Sequence, residues 1–508
     1  MILVVNFGSQ FAHLIARRVR DLGVRTEIVP FDSSIAEIRA LKPAGIILSG
    51  GPASVLENGS PRPDARIFDM DIPILGICYG HQLMAHMLGG KVAKGKEREF
   101  GRAALRAHND GLFAGFRRTE TVWFSHGDTV TALPRGFVPT ASTATCKHAA
   151  FAHPMRKRYG IQFHPEVTHT VRGERLFRNF IAICKAKKDW DIGAVAENIV
   201  AQVKREVQTA HVVIGISGGV DSLVAARLLQ RAIGSRLHPV FADTGLLRKG
   251  EVKQVASALR ASGFRRLHIV DAREIFLQKL RGISDPEKKR KIIGHAFIDV
   301  FEKAIRNELR KYPIAYLAQG TIYPDRIESA SVAGTAAKIK SHHNLTLPKK
   351  LGFKIIEPLK DLYKDEVRKV GEALGFQREL VWRHPFPGPG LAIRIVGEVT
   401  KERLHILREA DAIFIEELRN AREYERIWQA FAALLPLRVV GVMGDARTYE
   451  NIIALRAVDS VDGMSADWHR MPDELLQRIS NAIVNRVRGV NRVVYDVTQK
   501  PPATIEYE

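Results

Sequence analysis

Residues 217–222 read Ser217-Gly-Gly-Val-Asp-Ser222 and separate two stretches with different periodicity. The apolar run His211–Ile216 before them predicts a buried strand, and residues 220–230 predict a helix. Glycines at such a turn let the backbone approach an anion, while the helix start supplies N–H groups and partial positive charge. Two glycines alone would fit a tight turn in a parallel-sheet unit equally well. The complete string favours a pyrophosphate-binding loop made of Ser217, Gly218, Gly219, Val220, Asp221 and Ser222.

A loop of this kind is typical of nucleotide-binding proteins that split ATP into AMP and pyrophosphate and so activate an oxygen of a second substrate. Asp221 begins the predicted helix, and a carboxylate there would hold the Mg²⁺ ion that bridges the phosphates. We therefore expect ATP as a substrate and Mg²⁺ as its companion ion.

The size and composition of the chain indicate a globular protein with several domains. Its 508 residues exceed a single hydrophobic core, and 45% hydrophobic with 26% charged residues is an ordinary balance. The first residues enter an apolar strand without a leader resembling a signal peptide, and no run approaches the length of a membrane span. We expect a cytoplasmic protein that does not bind membranes.

Cysteines and charge limit the function further. Cys78, Cys146 and Cys184 are too far apart in the sequence for a C-x-x-C pair, and a disulfide framework is not expected. The net charge of +22 invites a nucleic-acid interpretation. The basic residues are spread along the chain, however, so we favour a basic surface that attracts small anionic substrates and expect no specific nucleic acid.

Three segments follow from the pattern. Residues 1–190 alternate short strands with helices, which predicts an α/β fold with a parallel sheet. Residues 191–383 repeat this alternation and contain the pyrophosphate loop. Prolines and glycines in Arg383-His-Pro-Phe-Pro-Gly-Pro-Gly390 mark a rigid hinge, after which residues 384–508 predict a smaller α+β domain.

A second candidate site lies in the first segment. Ile72-Pro-Ile-Leu-Gly-Ile-Cys-Tyr-Gly-His-Gln82 places Cys78 between two glycines, after a predicted strand and before a predicted helix. This pattern is a nucleophile elbow with cysteine in place of serine. The helix start favours the thiolate form. A single cysteine is more often a small core residue, so the assignment depends on its partners.

Two further strings supply those partners. Gly160-Ile-Gln-Phe-His-Pro-Glu166 contains His164, which can exchange a proton with Cys78, and Glu166, which can orient the imidazole. In Ser49-Gly-Gly-Pro52, the N–H group of Gly51 can face a developing oxyanion together with the N–H group of Tyr79. The combination predicts a cysteine–histidine–carboxylate triad with an oxyanion hole.

With these residues, the first segment resembles the class I glutamine amidotransferases, in which such a triad hydrolyses glutamine through a thioester. His81 stands where that family often has Met, and we expect this departure to affect packing more than chemistry. Cys146 and Cys184 lack comparable surroundings and are interpreted as structural.

The resemblance extends over the whole chain to the glutamine-hydrolysing GMP synthases. The matching strings are Ser217-Gly-Gly-Val-Asp-Ser222, Asp285-Pro-Glu-Lys-Lys-Arg-Lys-Ile-Ile-Gly294, Gln319-Gly-Thr-Ile-Tyr-Pro-Asp-Arg-Ile-Glu328, Lys340-Ser-His-His-Asn344, His384-Pro-Phe-Pro-Gly-Pro-Gly390 and Lys500-Pro-Pro-Ala-Thr-Ile-Glu506. The resemblance implies a class I glutaminase domain, an ATP pyrophosphatase domain like the adenine-nucleotide α-hydrolases, and a C-terminal dimerisation domain. It also implies a homodimer that forms GMP from XMP, ATP and glutamine.

The resemblance assigns further residues. It implies that XMP contacts Arg290, Lys500, Ile505 and Glu506, with Arg492 a candidate for its phosphate. Lys340, His342 and His343 resemble the mobile lid of the family, and the alternative is an exposed polar loop. Asp325 and Glu328 would share a magnesium ion or a lid contact, while a solvated turn explains them equally well.

The sequence departs from the family pattern at two places, and it allows three rival interpretations. Thr244 replaces the Asn that is common after Asp243, and Leu-Thr-Leu-Pro follows Asn344 where relatives often have a Gly-Gly turn. The enzymatic rivals are amidotransferases that make NAD or asparagine and thiolases that act on tRNA. A basic scaffold built on inactive enzyme domains is the rival from another class, and the intact triad and loop argue against it.

Overall fold

The computed structural model describes residues 1–9, 11–108, 111–167, 169–264, 266–325, 352–443, 446–460 and 466–508. These residues divide into two compact units. The first unit is Met1–Val195, and the second contains the described residues from Ala196 onward.

The helices and strands of this part of the chain are numbered in sequence order. The helices are α1 (Phe11–Asp21), α2 (Ile35–Ala40), α3 (Tyr79–Met87), α4 (Gly173–Ile183), α5 (Ile192–Val207), α6 (Val220–Ile233), α7 (Glu251–Ala261), α8 (Arg273–Leu280), α9 (Pro286–Glu308), α10 (Lys364–Ala373), α11 (Arg378–Val381), α12 (Lys401–Asn420) and α13 (Asp473–Arg486). The strands are β1 (Ile2–Asn6), β2 (Thr26–Pro30), β3 (Gly45–Leu48), β4 (Ile74–Ile77), β5 (Lys91–Ala107), β6 (Thr119–Ala132), β7 (Val138–Ser142), β8 (Ala150–His153), β9 (Arg158–Ile161), β10 (His211–Ile216), β11 (Leu237–Asp243), β12 (His268–Asp271), β13 (Ile314–Ala318), β14 (Lys354–Ile356), β15 (Gln429–Met443), β16 (Ala446–Asp459), β17 (Asp467–Trp468) and β18 (Val490–Tyr495).

The first unit is built on one mixed sheet with the strand order β2-β1-β3-β4-β9-β8-β7-β5-β6 among its described residues. The strands from β2 to β9 in this order are parallel, and the remaining pairings are antiparallel. The parallel part was predicted from the sequence, whereas the antiparallel extension was not. All residues of β3 and β4 are buried, as expected for parallel strands covered by helices on both faces.

Helix α1 shows why the helices cover this sheet. Its buried residues Ala12, Ile15, Ala16 and Val19 follow the spacing of one helix face, and that face packs against β1 and β2. The carboxyl ends of the parallel strands β4 and β9 lie side by side, because Ile77 pairs with Ile161. The residues that follow these two strands are therefore brought together.

The second unit contains a parallel sheet with the order β12-β11-β10-β13-β14. The chain moves outward from β10 to β12 and then returns to β13 on the other side of β10. Such a reversal opens a crevice at the carboxyl ends of the strands, where ligands bind in open α/β sheets. Residues 217–219 follow β10 and therefore lie at this crevice.

The C-terminal residues form the ribbon β15–β16, with β18 parallel to β16 and helices α12 and α13 packed on the strands. Their hydrophobic core is continuous with the core beside the parallel sheet. Phe276 belongs to one cluster of buried residues with Leu391, Leu407 and Leu434. The predicted α/β class with parallel sheets is confirmed, and no helix in the described ranges is long and apolar enough to cross a membrane.

Candidate active sites

Cys78 lies at a sharp turn between β4 and α3. Its backbone has φ 51° and ψ −104°, a conformation that residues with a side chain rarely adopt. The flanking glycines make this turn possible, because a Cβ on Gly76 would lie 2.4 Å from the carbonyl oxygen of Gly80. A Cβ on Gly80 would lie 2.3 Å from the carbonyl oxygen of Leu48. The structure thus has the nucleophile elbow that the sequence predicted.

His164 and Glu166 follow β9 in one buried loop. The Nδ1 atom of His164 lies 2.6 Å from Oε1 of Glu166. The loop is fixed on both sides, since the N–H of His164 donates to the carbonyl oxygen of Trp123 and Thr170 donates its hydroxyl to the carbonyl oxygen of His164. The imidazole therefore has a defined orientation, with its second nitrogen available for another partner.

Cys78 is that partner. A Cβ on Gly50 would lie 3.3 Å from Cε1 of His164 and 3.7 Å from Cβ of Cys78, which places both side chains beside one glycine. Burial alone would lower the pKa of His164, but Glu166 and Cys78 raise this pKa well above its ordinary value. A protonated imidazole beside a sulfur atom stabilises the thiolate form. The three side chains thus have the arrangement that nucleophilic catalysis by a thiol requires.

The predicted oxyanion donors lie next to each other. A Cβ on Gly51 would lie 3.4 Å from the Cγ atom of Tyr79. Neither the N–H of Gly51 nor that of Tyr79 has an acceptor among the described residues, whereas the N–H of Cys78 donates to Ile161 at 2.8 Å. Two free N–H groups beside the nucleophile suit a developing negative charge.

His81, the departure beside the nucleophile, packs in the core of the first unit. His81 is fully buried, and its ring stacks on Phe151 with centroids 4.4 Å apart. Burial lowers the pKa of His81 to about 3. The side chain is therefore a neutral core residue at physiological pH.

The other two cysteines are buried and free. Burial raises the pKa of the Cys184 thiol to about 12 and that of the Cys146 thiol to about 11. Cys184 packs on β3, because a Cβ on Gly45 would lie 2.3 Å from its sulfur. Neither thiol has the activated environment of Cys78.

The pyrophosphate loop of the second unit turns at Gly218, which has φ 78°. Serine hydroxyls hold the turn, since Ser222 donates to the carbonyl oxygen of Gly219 at 2.9 Å and Ser217 accepts from the N–H of Gly219 at 3.1 Å. The N–H groups of Gly218 and Val220 have no acceptor among the described residues. These two donors, with the start of α6, form the part of the loop that can bind an anion.

Two cations beside this loop were missed by the sequence analysis. The Nζ atom of Lys364 lies 2.5 Å from Oδ2 of Asp221. A Cβ on Gly218 would lie 3.6 Å from the guanidinium of Arg383, which also forms a 3.1 Å ion pair with Glu251. Burial lowers the pKa of Arg383, although Glu251 raises it. Both cations come from parts of the chain about 140 to 165 residues away from the loop, and no local motif marks them.

Asp221 retains one oxygen for another ligand. Its Oδ1 atom is buried and has no hydrogen-bond partner within the described residues, while Lys364 contacts Oδ2. An orphaned carboxylate oxygen at a phosphate site fits a hard cation such as Mg²⁺.

One of the lid candidates, Asp325, lies among the described residues. Asp325 accepts a hydrogen bond from the N–H of Ile322 at 3.2 Å and so closes a local turn. Glu328, Lys340, His342 and His343 lie outside the described residues.

Arg290 contacts the C-terminal segment that contains Glu506. Arg290 donates to the carbonyl oxygen of Glu508, and the neighbouring Lys289 forms an ion pair with the side chain of Glu508. Glu506 is held by Arg394 through two hydrogen bonds of 2.9 and 3.0 Å. The carboxylate of Glu506 is therefore already paired, which the sequence analysis did not anticipate.

The other predicted nucleotide contacts are more dispersed. Ile505 is buried, and its carbonyl oxygen accepts from Arg456 at 3.4 Å. Lys500 exchanges backbone hydrogen bonds with Ala466 at 2.8 and 3.0 Å. Arg492 is exposed on β18.

Three known families match the parts of the chain that contain the two sites and the C-terminal region. Residues 3–184 match the family model described as Glutamine amidotransferase class-I. Residues 194–277, which include the pyrophosphate loop, match the model of NAD synthase. Residues 416–507 match the GMP synthase C terminal domain.

Full-length relatives decide the family. The chain is 54% identical over 511 residues to "GMP synthase [glutamine-hydrolyzing]" of Aquifex aeolicus (strain VF5), with 100% of this chain and 99% of the relative covered. The chain belongs to the glutamine-hydrolysing GMP synthase family. A relative of the same name from Thermosipho africanus (strain TCF52B) is 52% identical over 511 residues, again covering 100% of this chain and 99% of the relative.

Membership of the GMP synthase family confirms the predicted enzyme class, a ligase that takes nitrogen from glutamine. The rival interpretations as an amidotransferase of another pathway or as an inactive scaffold are excluded by full-length identity above one half. The match to the NAD synthase model then reflects the shared pyrophosphatase domain.

Proposed function

We propose that Cys78, His164 and Glu166 carry out the glutamine hydrolysis of this GMP synthase. The observation that carries this assignment is the presentation of Cys78 at a positive φ beside a His164 that Glu166 orients at 2.6 Å. The sulfur of Cys78 attacks the glutamine amide, and the N–H groups of Gly51 and Tyr79 stabilise the oxyanion. His164 then donates a proton to the departing ammonia, and water hydrolyses the thioester to glutamate.

The synthetase reaction takes place at the loop Ser217–Ser222. The 2-oxygen of XMP attacks the α-phosphate of ATP, pyrophosphate leaves, and ammonia displaces AMP to give GMP. The N–H groups of Gly218 and Val220 bind the leaving pyrophosphate, and Lys364 and Arg383 balance its charge. The free Oδ1 atom of Asp221 would hold Mg²⁺, which supplies positive charge to the phosphates.

XMP binding involves Arg290 and the C-terminal segment with Lys500, Ile505 and Glu506, while Arg492 is the phosphate candidate. Support for this site comes from the contact of Arg290 with Glu508 and the fixed position of Glu506. Asp325, Glu328, Lys340, His342 and His343 remain the proposed lid. We place the functional domains at residues 1–190, 191–383 and 384–508.

The enzyme acts as a cytoplasmic homodimer in this proposal. Its three free cysteines suit a reducing compartment. The ribbon β15–β16 supports dimerisation, because Val440, Val442 and Tyr449 expose 38%, 76% and 60% of their surface. Val440 pairs with Tyr449 across the two strands, so these side chains form one apolar strip that a second copy would cover.

The first test follows the loss of XMP absorbance with ATP and Mg²⁺, using glutamine or ammonium as the nitrogen donor. We expect turnover with both donors. The variant Cys78→Ala should lose glutamine-dependent synthesis and keep ammonium-dependent synthesis, whereas Cys184→Ala should keep both. Glutamine-dependent synthesis by Cys78→Ala would refute the triad, and failure with both donors in the parent chain would refute the synthetase assignment.

A further inference from the structure

Three potential metal ligands meet in the first unit outside the proposed triad. They are Glu99 on β5, His126 on β6 and Cys146 in the loop between β7 and β8. One ligand atom from each lies within 4.8 Å of the other two. The side chains of Glu99 and His126 expose 16% and 5% of their surface, and Cys146 exposes 1%. The cluster is thus enclosed by protein.

The tautomer of His126 is fixed by its surroundings. Its Nδ1 atom lies 2.9 Å from the carbonyl oxygen of Asp128. Because a carbonyl oxygen only accepts hydrogen bonds, Nδ1 carries the hydrogen. A backbone carbonyl that binds one imidazole nitrogen in this way is typical of histidines whose other nitrogen binds a metal.

The other nitrogen of His126 faces the carboxylate of Glu99. The two atoms, Nε2 and Oε2, are 2.9 Å apart, and both are buried. In the neutral ring with its hydrogen on Nδ1, the lone pair of Nε2 faces the carboxylate. Two charges can satisfy this buried pair: a proton on Nε2, which makes an ion pair with Glu99, or a metal ion that binds both side chains.

The third ligand decides which cation fits. We propose that Glu99, His126 and Cys146 form a binding site for a borderline-soft divalent cation, with Zn²⁺ as the best match. Zinc accepts carboxylate, imidazole and thiolate together, and the two anionic ligands balance its charge. Zinc bonds to such ligand atoms are about 2.0 to 2.3 Å long, so a tetrahedral site needs ligand atoms about 3.5 Å apart. Only small side-chain movements are therefore required. The metal would replace the thiol proton of Cys146, and the fourth position would take water.

This site is connected to the nucleophile through β6. Ser125, the residue before His126, offers its carbonyl oxygen to the sulfur of Cys78 at 3.7 Å. A metal bound to His126 would restrict the backbone that contacts Cys78. The site therefore has a supporting role near the glutaminase centre and does not need to touch glutamine.

The test uses the full-length double variant Cys78→Ala/Cys184→Ser. Cys146 is then the only thiol, because the chain has three cysteines. After removal of metal with a chelator, Co²⁺ is titrated, and the near-ultraviolet charge-transfer band between thiolate and cobalt is recorded. We expect one equivalent to produce the band and Zn²⁺ to abolish it by displacement. The three proposed ligands are unchanged in this variant. Absence of the band at stoichiometric Co²⁺ would therefore overturn the proposal.

Ligand variants in the same double-variant background complete the test. His126→Gln should weaken Co²⁺ binding at least about 10-fold, since changes to the surroundings of metal ligands alone cost about that much. His153→Gln, a change outside the cluster, should leave the affinity unchanged. Undiminished affinity in His126→Gln would overturn the site. If circular dichroism shows that His126→Gln is unfolded, Glu99→Gln serves as the ligand variant with the same expected loss and the same refuting result.

Discussion

Nδ1 of His164 and Oε1 of Glu166 lie 2.6 Å apart in a loop where both side chains are buried. The short sequence separation means that one loop positions both the base and the group that orients it. Glu166 also has a second anchor, because its carbonyl oxygen accepts from Arg18 at 3.0 Å. The orientation of the imidazole is thus a local property of the turn after β9.

Replacement of this carboxylate should therefore affect only the glutaminase reaction. Glu166→Gln removes the charge that stabilises protonated His164, and we expect glutamine-dependent synthesis to fall about 10²- to 10⁴-fold. Ammonium-dependent synthesis should stay at the parent level, as measured by the loss of XMP absorbance. Glu174→Gln is the matched control, since Glu174 is exposed and forms an ion pair with Arg178 on the surface of α4. An unchanged glutamine-dependent rate in Glu166→Gln would remove Glu166 from the triad.

Loss of Lys364 should impair the synthetase with either nitrogen donor. The Nζ atom of Lys364 lies 2.5 Å from Oδ2 of Asp221. Removal of such a donor from a charged reaction centre lowers the rate about 10²-fold or more. We expect Lys364→Ala to raise KM for ATP and to lower kcat equally with glutamine and ammonium. Lys401→Ala removes an exposed ion pair with Glu274 and should have little effect. A defect limited to glutamine would show that Lys364 has no part in ATP chemistry.

His81 predicts a pH-dependent stability. The imidazole in the unfolded chain binds a proton near pH 6.5, whereas burial holds the pKa in the folded chain at about 3. The unfolded state binds more protons between these values, so stability falls as pH falls, by at most about 1.4 kcal/mol per pH unit. His81→Met should remove this contribution and raise the Tm, with an advantage that grows from pH 7.5 to pH 5.

Leu83→Met is the control, because Leu83 is a buried, uncharged residue of the same helix. Its effect on the Tm should not vary with pH. The interpretation fails if the Tm advantage of His81→Met is the same at pH 7.5 and pH 5.

The apolar strip on the β15–β16 ribbon can be tested by a single charge. Val442→Asp places a carboxylate in the proposed dimer contact, and we expect sedimentation analysis to show monomers where the parent chain is a dimer. Val171→Asp introduces the same charge at a residue of the first unit that is 71% exposed, and it should leave the dimer intact. A parent chain that sediments as a monomer, or a Val442→Asp variant that stays dimeric, would place the contact elsewhere.

The sequence predicted those parts of the sites that depend on neighbouring residues. The elbow at Cys78 needs small residues at positions 76 and 80, and the turn at Gly218 needs a positive φ, so both leave a local pattern. Lys364 and Arg383 reach the pyrophosphate loop only through the packing of distant elements. The pairing of Glu506 with Arg394 likewise joins residues 112 positions apart. Such contacts have no periodicity or spacing that a single sequence can display.

The buried cluster that links Phe276 to Leu391, Leu407 and Leu434 bears on how a gene for this enzyme could be divided. A break before α5 would give two chains, each with its own sheet and core. A break near residue 384 would leave both products with half of one interior exposed to water, and each would need its complement during synthesis to avoid aggregation. A gene split at the first junction would therefore be compatible with folding of both products. A split at the second junction would hinder their folding.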